Sequence, residues 1–326
     1  MRVELTDDPI HFRTRDWSDL VLADPSGTFF HTPAYLKLWW EEFGSGSLLL
    51  AFADEEERTV GACGFELVDD TLRFLGGFDV TDYMGPVGLP GREETVAKEL
   101  MAAVMDQEWT SADLRGLSLD SPWLGAIEAA AAAQGLAVRR GEDGVAPFIE
   151  LSASFDAYLA ALPAKLRHEI RRKERRLAEG TGGFELRLAT LGTLQADLDR
   201  FIELHKASPG PKGRFMHAGM EIFFRRLGEA FLPLHQFHLA FIEVGDRKVA
   251  GAIGFAFRNA FSLYNSSFDR EFGKLSPGMV LVAHLIRRAI EQGRERFDML
   301  KGDLAYKYQF GASPRPIGRL IVSRSS

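Results

Sequence analysis

Side chains alternate with a period near two over residues 261–266, with Phe261, Leu263 and Asn265 set between Ser262, Tyr264 and Ser266, which predicts a strand. A polar loop, residues 269–278, follows it. Met279, Val280, Val282, Leu285, Ile286 and Ile290 then recur at helical spacing, and Gly293 stops the helix. A short strand over 297–300 leads into Lys301-Gly302-Asp303 and Tyr306-Lys307-Tyr308.

The same alternation of periods runs through the earlier chain. Helices are predicted over 34–43, 93–108, 122–134, 191–207 and 221–231, and strands over 48–54, 60–68, 71–75 and 236–244. A strand falls within 111–119 and two short ones within 135–151. The order repeats: Leu50-Ala51-Phe52 with Gly61-Ala62-Cys63-Gly64-Phe65 parallels Leu239-Ala240-Phe241 with Gly251-Ala252-Ile253-Gly254-Phe255. The two glycine runs lie 190 residues apart. That spacing is far longer than a solenoid period, so we read an internal duplication of one α/β unit. Domain boundaries of 1–150 and 151–326 follow. Between the copies, residues 162–177 form a basic helix with an apolar seam of Leu162, Leu166, Ile170 and Leu177.

With 326 residues and 46% hydrophobic content, two cored domains are affordable in size. A net charge of −7 disfavours DNA or general nucleic-acid binding. The single cysteine, Cys63, sits in an apolar run and predicts a buried core residue in a reducing compartment. The start of the chain carries Glu4, Asp7 and Asp8 without a signal-peptide core, and no stretch is long enough to span a bilayer. A soluble, cytoplasmic protein is expected.

The loop before the helix at 279 has the makings of an anion site. The first N–H groups of a helix lack internal partners and lie at its positive end. Gly278 lets a ligand approach the backbone, Pro277 suits the first helical position, and Ser276 can cap or bond a ligand oxygen. Lys274 adds a positive charge and Met279 begins the helix. The same residues also describe an ordinary capped helix. The loop is neither a Walker A sequence nor G-x-G-x-x-G. In the first copy, Gly88-Leu89-Pro90-Gly91 precedes Arg92-Glu93-Glu94, whose carboxylates would repel a phosphate. The cofactor site is therefore expected in the second copy.

Ser276-Pro277-Gly278, Ala289-Ile290 with Gly293, Phe297-Asp298 with Leu300 and Gly302, and Tyr306-Lys307 together resemble the CelD-like (cellulose-biosynthesis-type) acetyltransferases of the GNAT superfamily. The resemblance reaches back to the basic helix and, more faintly, to residues 30–39. It implies two tandem GNAT-like domains, each a mixed β-sheet flanked by helices, with one working copy. Similar tandem folds occur in the Fem aminoacyl ligases. It further implies acetyl-CoA or another acyl-CoA as co-substrate, and keeps Lys165, Arg167 and Arg171 as possible phosphate contacts.

Acyl transfer needs a polarised thioester carbonyl, a deprotonated nucleophile and a protonated leaving thiolate. Asp298 is the candidate base or orienting group, Tyr306 the acid, and Tyr264 a cleft-facing residue. His205, Arg214, Asp269, Lys301 and Lys307 are candidate acceptor contacts. Each has a plain structural reading too, as a helix-end histidine, a loop aspartate or half-buried packing. No H-E-x-x-H, H-x-x-E-H or G-x-S-x-G pattern occurs, so no metal is expected. The expected activity is acylation of an amine or hydroxyl on a small molecule or sugar. Its rivals are a Fem-like ligase using aminoacyl-tRNA and a non-catalytic partner in polysaccharide biosynthesis.

Overall fold

A computed structural model describes residues 1–324 except Asp16 and Phe78. In chain order it contains β1 (Arg2–Thr6), α1 (His11–Thr14), α2 (Ser18–Ala23), α3 (Pro33–Phe43), β2 (Ser47–Glu55), β3 (Arg58–Val68), β4 (Thr71–Phe74) and β5 (Val87–Gly88). Next come α4 (Glu93–Val104), β6 (Ser111–Ser118), α5 (Pro122–Ala133), β7 (Ala137–Val145), β8 (Phe148–Glu150), α6 (Phe155–Ala161) and α7 (Ala164–Thr181). The rest is β9 (Glu185–Leu188), α8 (Leu194–Lys206), α9 (Pro211–Phe215), α10 (Ala218–Phe231), β10 (Phe237–Val244), β11 (Arg247–Phe257), β12 (Ala260–Phe268), α11 (Pro277–Glu291), β13 (Arg296–Asp298), α12 (Ala305–Tyr308) and β14 (Pro316–Ser323).

Two compact units result. The first comprises Met1–Val145 with Arg315–Ser326, and the second Ala146–Pro314. The first unit's sheet runs β1-β2-β3-β4-β6-β14-β7, with β5 joined to β3. Its pairs are antiparallel except β4 with β6. Helices α4 and α5 bury Val96, Leu100, Trp123 and Ile127 in a cluster with Ala51, Cys63 and Phe65 from the sheet. The second unit's sheet runs β8-β13-β12-β11-β10-β9, again antiparallel except β12 with β13. Along α11, Val280, Leu281, Leu285 and Ile286 pack on Ala250, Ala252, Phe261 and Leu263. Cys63 is buried, and burial pushes its thiol well above the ordinary value.

The chain does not divide where its halves do. Residues 315–326 were expected with the second domain, yet β14 lies between β6 and β7 of the first sheet. Ile317, Leu320 and Val322 are fully buried there, and Arg319 donates to Asp113 Oδ2 at 2.8 Å. Conversely β8, placed with the first domain from sequence, pairs with β13 in the second sheet.

The repeat is real in architecture but one residue out in register. Both hairpins close through two-residue turns, Glu55 opposite Arg58 and Val244 opposite Arg247. Arg58 and Arg247 therefore correspond, 189 residues apart. The glycine runs match at 190, so they occupy opposite faces. A Cβ on Gly61 would meet Val96 of α4, whereas one on Gly251 would meet Phe201 of α8.

Candidate functional site

β12 is the strand that positions the site. It pairs with β13 at only three places, the last being Ser262 opposite Asp298. Beyond Ser262 it continues to Phe268 while β13 has ended, so among the described residues one edge of β12 is left without a strand partner. Its other edge stays on β11, with a shift in register: Gly254 faces Leu263 and Ile253 faces Asn265. Tyr264 is thus the extra residue of a β-bulge, which interrupts regular pairing and re-aims side chains. Tyr264 and Asn265 both turn toward α8 and α10. The Tyr264 ring meets Phe224 edge-on at 5.7 Å and lies 5.2 Å from Phe255. Asn265 Oδ1 lies 2.8 Å from His205 Nε2.

The strand leads directly into the loop singled out from sequence. A 3-10 turn, Arg270–Leu275, is capped by Asp269, whose Oδ1 accepts from Glu271 N–H at 3.1 Å. Ser276 takes a left-handed conformation (φ 57°) immediately before α11, and its hydroxyl makes no cap bond. Pro277 occupies the first turn, which holds no acidic side chain. The carbonyl of Ser276 accepts from Met279 and Val280 N–H at 3.1 and 3.2 Å. Gly278 offers its N–H at the positive end of a 15-residue helix. Lys274 is exposed beside it, and Met279 packs on the α11 core. The first unit lacks this arrangement: β4 stops at Phe74, and α4 opens with Glu93 and Glu94.

Other predicted residues fall into different roles. Asp298 is buried and its Oδ1 accepts from Leu300 N–H at 2.8 Å, holding a turn in which Leu300 has φ 56°. Lys307 is only 3% exposed, and its Nζ donates to the Leu300 and Lys301 carbonyls at 2.7 and 3.1 Å. The pair clamps residues 298–301, beside the point where β12 and β13 part. Tyr306 packs on the α11 core, and burial raises its hydroxyl's pKa. Asp269, expected at the acceptor, instead caps the 3-10 turn and pairs with Arg247 at 2.9 Å and Arg200 at 3.4 Å. Arg214 is exposed on α9, a short helix.

The basic helix α7 packs through Ile170 and Leu177, and Glu174 meets His284 of α11 at 2.9 Å. That imidazole is the main influence holding the Glu174 carboxyl below its ordinary value. Lys165 and Arg171 are exposed, while Arg167 reaches the Ala160 carbonyl at 3.3 Å. Sequence reasoning missed Asn265 and the Ser208–Ser267 pair, whose hydroxyls are 2.9 Å apart and end on the Leu204 carbonyl. Only the bulge turns Asn265 and Ser267 to the same side as Tyr264, and a bulge leaves no mark on a period-two pattern. Among the described residues, no group of three or more His, Cys, Asp or Glu could hold a metal ion, and no helix is long and apolar enough to cross a membrane.

Residues 164–308 match the family model described as an acetyltransferase (GNAT) domain. No curated protein matches the sequence. Among solved structures, FemX is similar with a TM-score of 0.68 and 9% identity, over 98% of this chain and 97% of FemX. L-PGS from Bacillus licheniformis gives 0.61 and 15%, over 98% and 92%. A tandem GNAT protein from the clavulanic acid biosynthesis pathway gives 0.51 and 12%, over the whole of both chains. At such identities these likenesses establish the fold alone. Residues 164–308 thus match an acetyltransferase (GNAT) domain, in a chain whose two-unit α/β fold is similar to that of the tandem GNAT protein.

Proposed function

We propose that the second unit transfers an acyl group, acetyl in the simplest case, from acyl-CoA to an amine or hydroxyl of a small molecule or sugar. The observation that carries this reading is the open edge of β12 after Ser262, followed along the chain by a helix start free of acids. A helix dipole contributes only about 0.3–1 kcal/mol, against roughly 8 kcal/mol for micromolar binding. The strand edge supplies the remaining hydrogen bonds in this reading. Its N–H groups hold the pantetheine arm and polarise the thioester carbonyl, while Gly278, Ser276 and Lys274 hold phosphate oxygens. In the reaction the nucleophile gives up its proton to a base and bonds to the acyl carbon, the C–S bond breaks, and Tyr306 gives its proton to the departing thiolate and regains one from solvent. Asp298 and Lys307 position the 298–301 turn rather than touching substrate, with Lys301 and Tyr264 beside the acceptor.

The test is calorimetric titration of acetyl-CoA, CoA and an aminoacyl-tRNA into the wild type and Gly278→Glu. The nearest neighbour of a Cβ at Gly278 would be the Phe268 side chain, at 3.2 Å, which is exposed enough to shift. The fold should survive while the added carboxylate opposes phosphate. Micromolar CoA binding in the wild type, weakened tenfold or more in the variant, supports the reading. Equal binding in both, or none in either, overturns it. Binding of the tRNA alone would assign the shared FemX-like fold to an aminoacyl donor, and silence from all three would favour a non-catalytic partner.

A further inference from the structure

Resting on the acyl-CoA reading, we infer that His205 is the catalytic group that takes the proton from the acceptor nucleophile, through Nδ1. Asn265 Oδ1 can only accept, so the 2.8 Å contact requires His205 Nε2 to carry the hydrogen. Nδ1 is left as the lone-pair nitrogen. It is buried, it has no hydrogen-bond partner, and the residue as a whole is 1% exposed. Leaving a buried acceptor unpaired costs about 1–3 kcal/mol, and such a group in a native structure asks for a partner that arrives later.

The surroundings suit that role. The bulge at Tyr264 places Asn265 on the face of β12 that meets α8, so His205 is held by the strand whose opposite edge is open to the donor. Burial lowers the imidazole to about 4, with Lys212 adding to the effect and the Asn265 bond opposing it. It therefore stays neutral, and able to accept, throughout the physiological range. Phe201 and Phe215 flank the ring, each at 5.9 Å between centroids. Phe215 belongs to α9, which buries none of its own residues and begins after Gly210 at φ 66°. Displacing α9 uncovers Nδ1 without opening a core. The proton moves from the attacking nitrogen or oxygen to Nδ1 as the bond to the acyl carbon forms, and leaves with solvent after the product departs.

Three measurements on the intact chain test this. Thiol release from acetyl-CoA is followed with water and with ethanolamine as nucleophiles, and acetyl-CoA affinity is measured in parallel. His205→Gln is expected to lower the turnover about 100-fold with acetyl-CoA affinity unchanged within threefold. Asn265→Ala, which frees the ring to change tautomer, is expected to lose about tenfold. Imidazole ¹⁵N spectra of the wild type should show Nε2 protonated and Nδ1 bare at pH 7. Unchanged turnover in His205→Gln, parallel loss of affinity, the opposite tautomer, or acetyl-CoA binding with no thiol release in the wild type would each overturn the assignment. Absence of acetyl-CoA binding is a separate outcome: it removes the donor reading, and this inference with it.

Discussion

Lys307 carries its charge where almost no solvent reaches it. Two backbone carbonyls, from Leu300 and Lys301, take the place of water. Lys307→Met should strand both and destabilise the protein by about 2 kcal/mol or more, read as a lower urea midpoint; a change under about 0.5 kcal/mol would refute the clamp. Three imidazoles respond to pH in one direction. His31, His205 and His238 are each lowered from 6.5 to about 4, in every case chiefly by burial. The unfolded chain then binds protons that the folded one refuses. Their contribution is complete above about pH 6.5 and is lost progressively as pH falls from there to about 4. Urea midpoints at pH 7.5, 6 and 5 should fall in that order, and His205→Gln should flatten the decline.

At the scale of elements, one inserted residue decides what β12 can do. Deleting Tyr264 would restore regular pairing with β11 and set Asn265 directly after Leu263, still opposite Ile253, with Asn265 and Ser267 kept on the α8 side. His205, Ser208 and the Leu204 carbonyl would keep their partners, while Phe224 and Phe255 would lose the Tyr264 ring. A cost of about 1–3 kcal/mol is expected from unfolding curves, from the lost aromatic contacts; a cost under about 0.5 kcal/mol would mean the bulge is incidental. The strand, the loop and α11 were legible because period-two and helical spacing are both written in residues 261–290. The bulge was not, because its effect is to put neighbours on one face. The glycine runs misled by one residue for a related reason. Glycine is called for wherever a helix side chain comes close, and Val96 and Phe201 do so on opposite faces.

For the whole molecule, the placement of β14 matters most. Its apolar positions, Ile317, Leu320 and Val322, are plain in the sequence, yet nothing local says which sheet they join. Pairing over 200 residues is a matter of three-dimensional fit, not of pattern. A chain ending at Pro314 should leave β6 and β7 without the strand between them. Hydrogen exchange would then show residues 114–118 and 137–145 unprotected, with residues 249–256 still slow; protection across both sets would contradict the assignment. The arrangement also sets an order of assembly at the ribosome. The strand that completes the first sheet is translated after the whole of the second unit. At roughly 5–20 residues per second, the nascent first half waits on the order of ten seconds or more with an unfilled gap, and that interval is when chaperones would have to guard it.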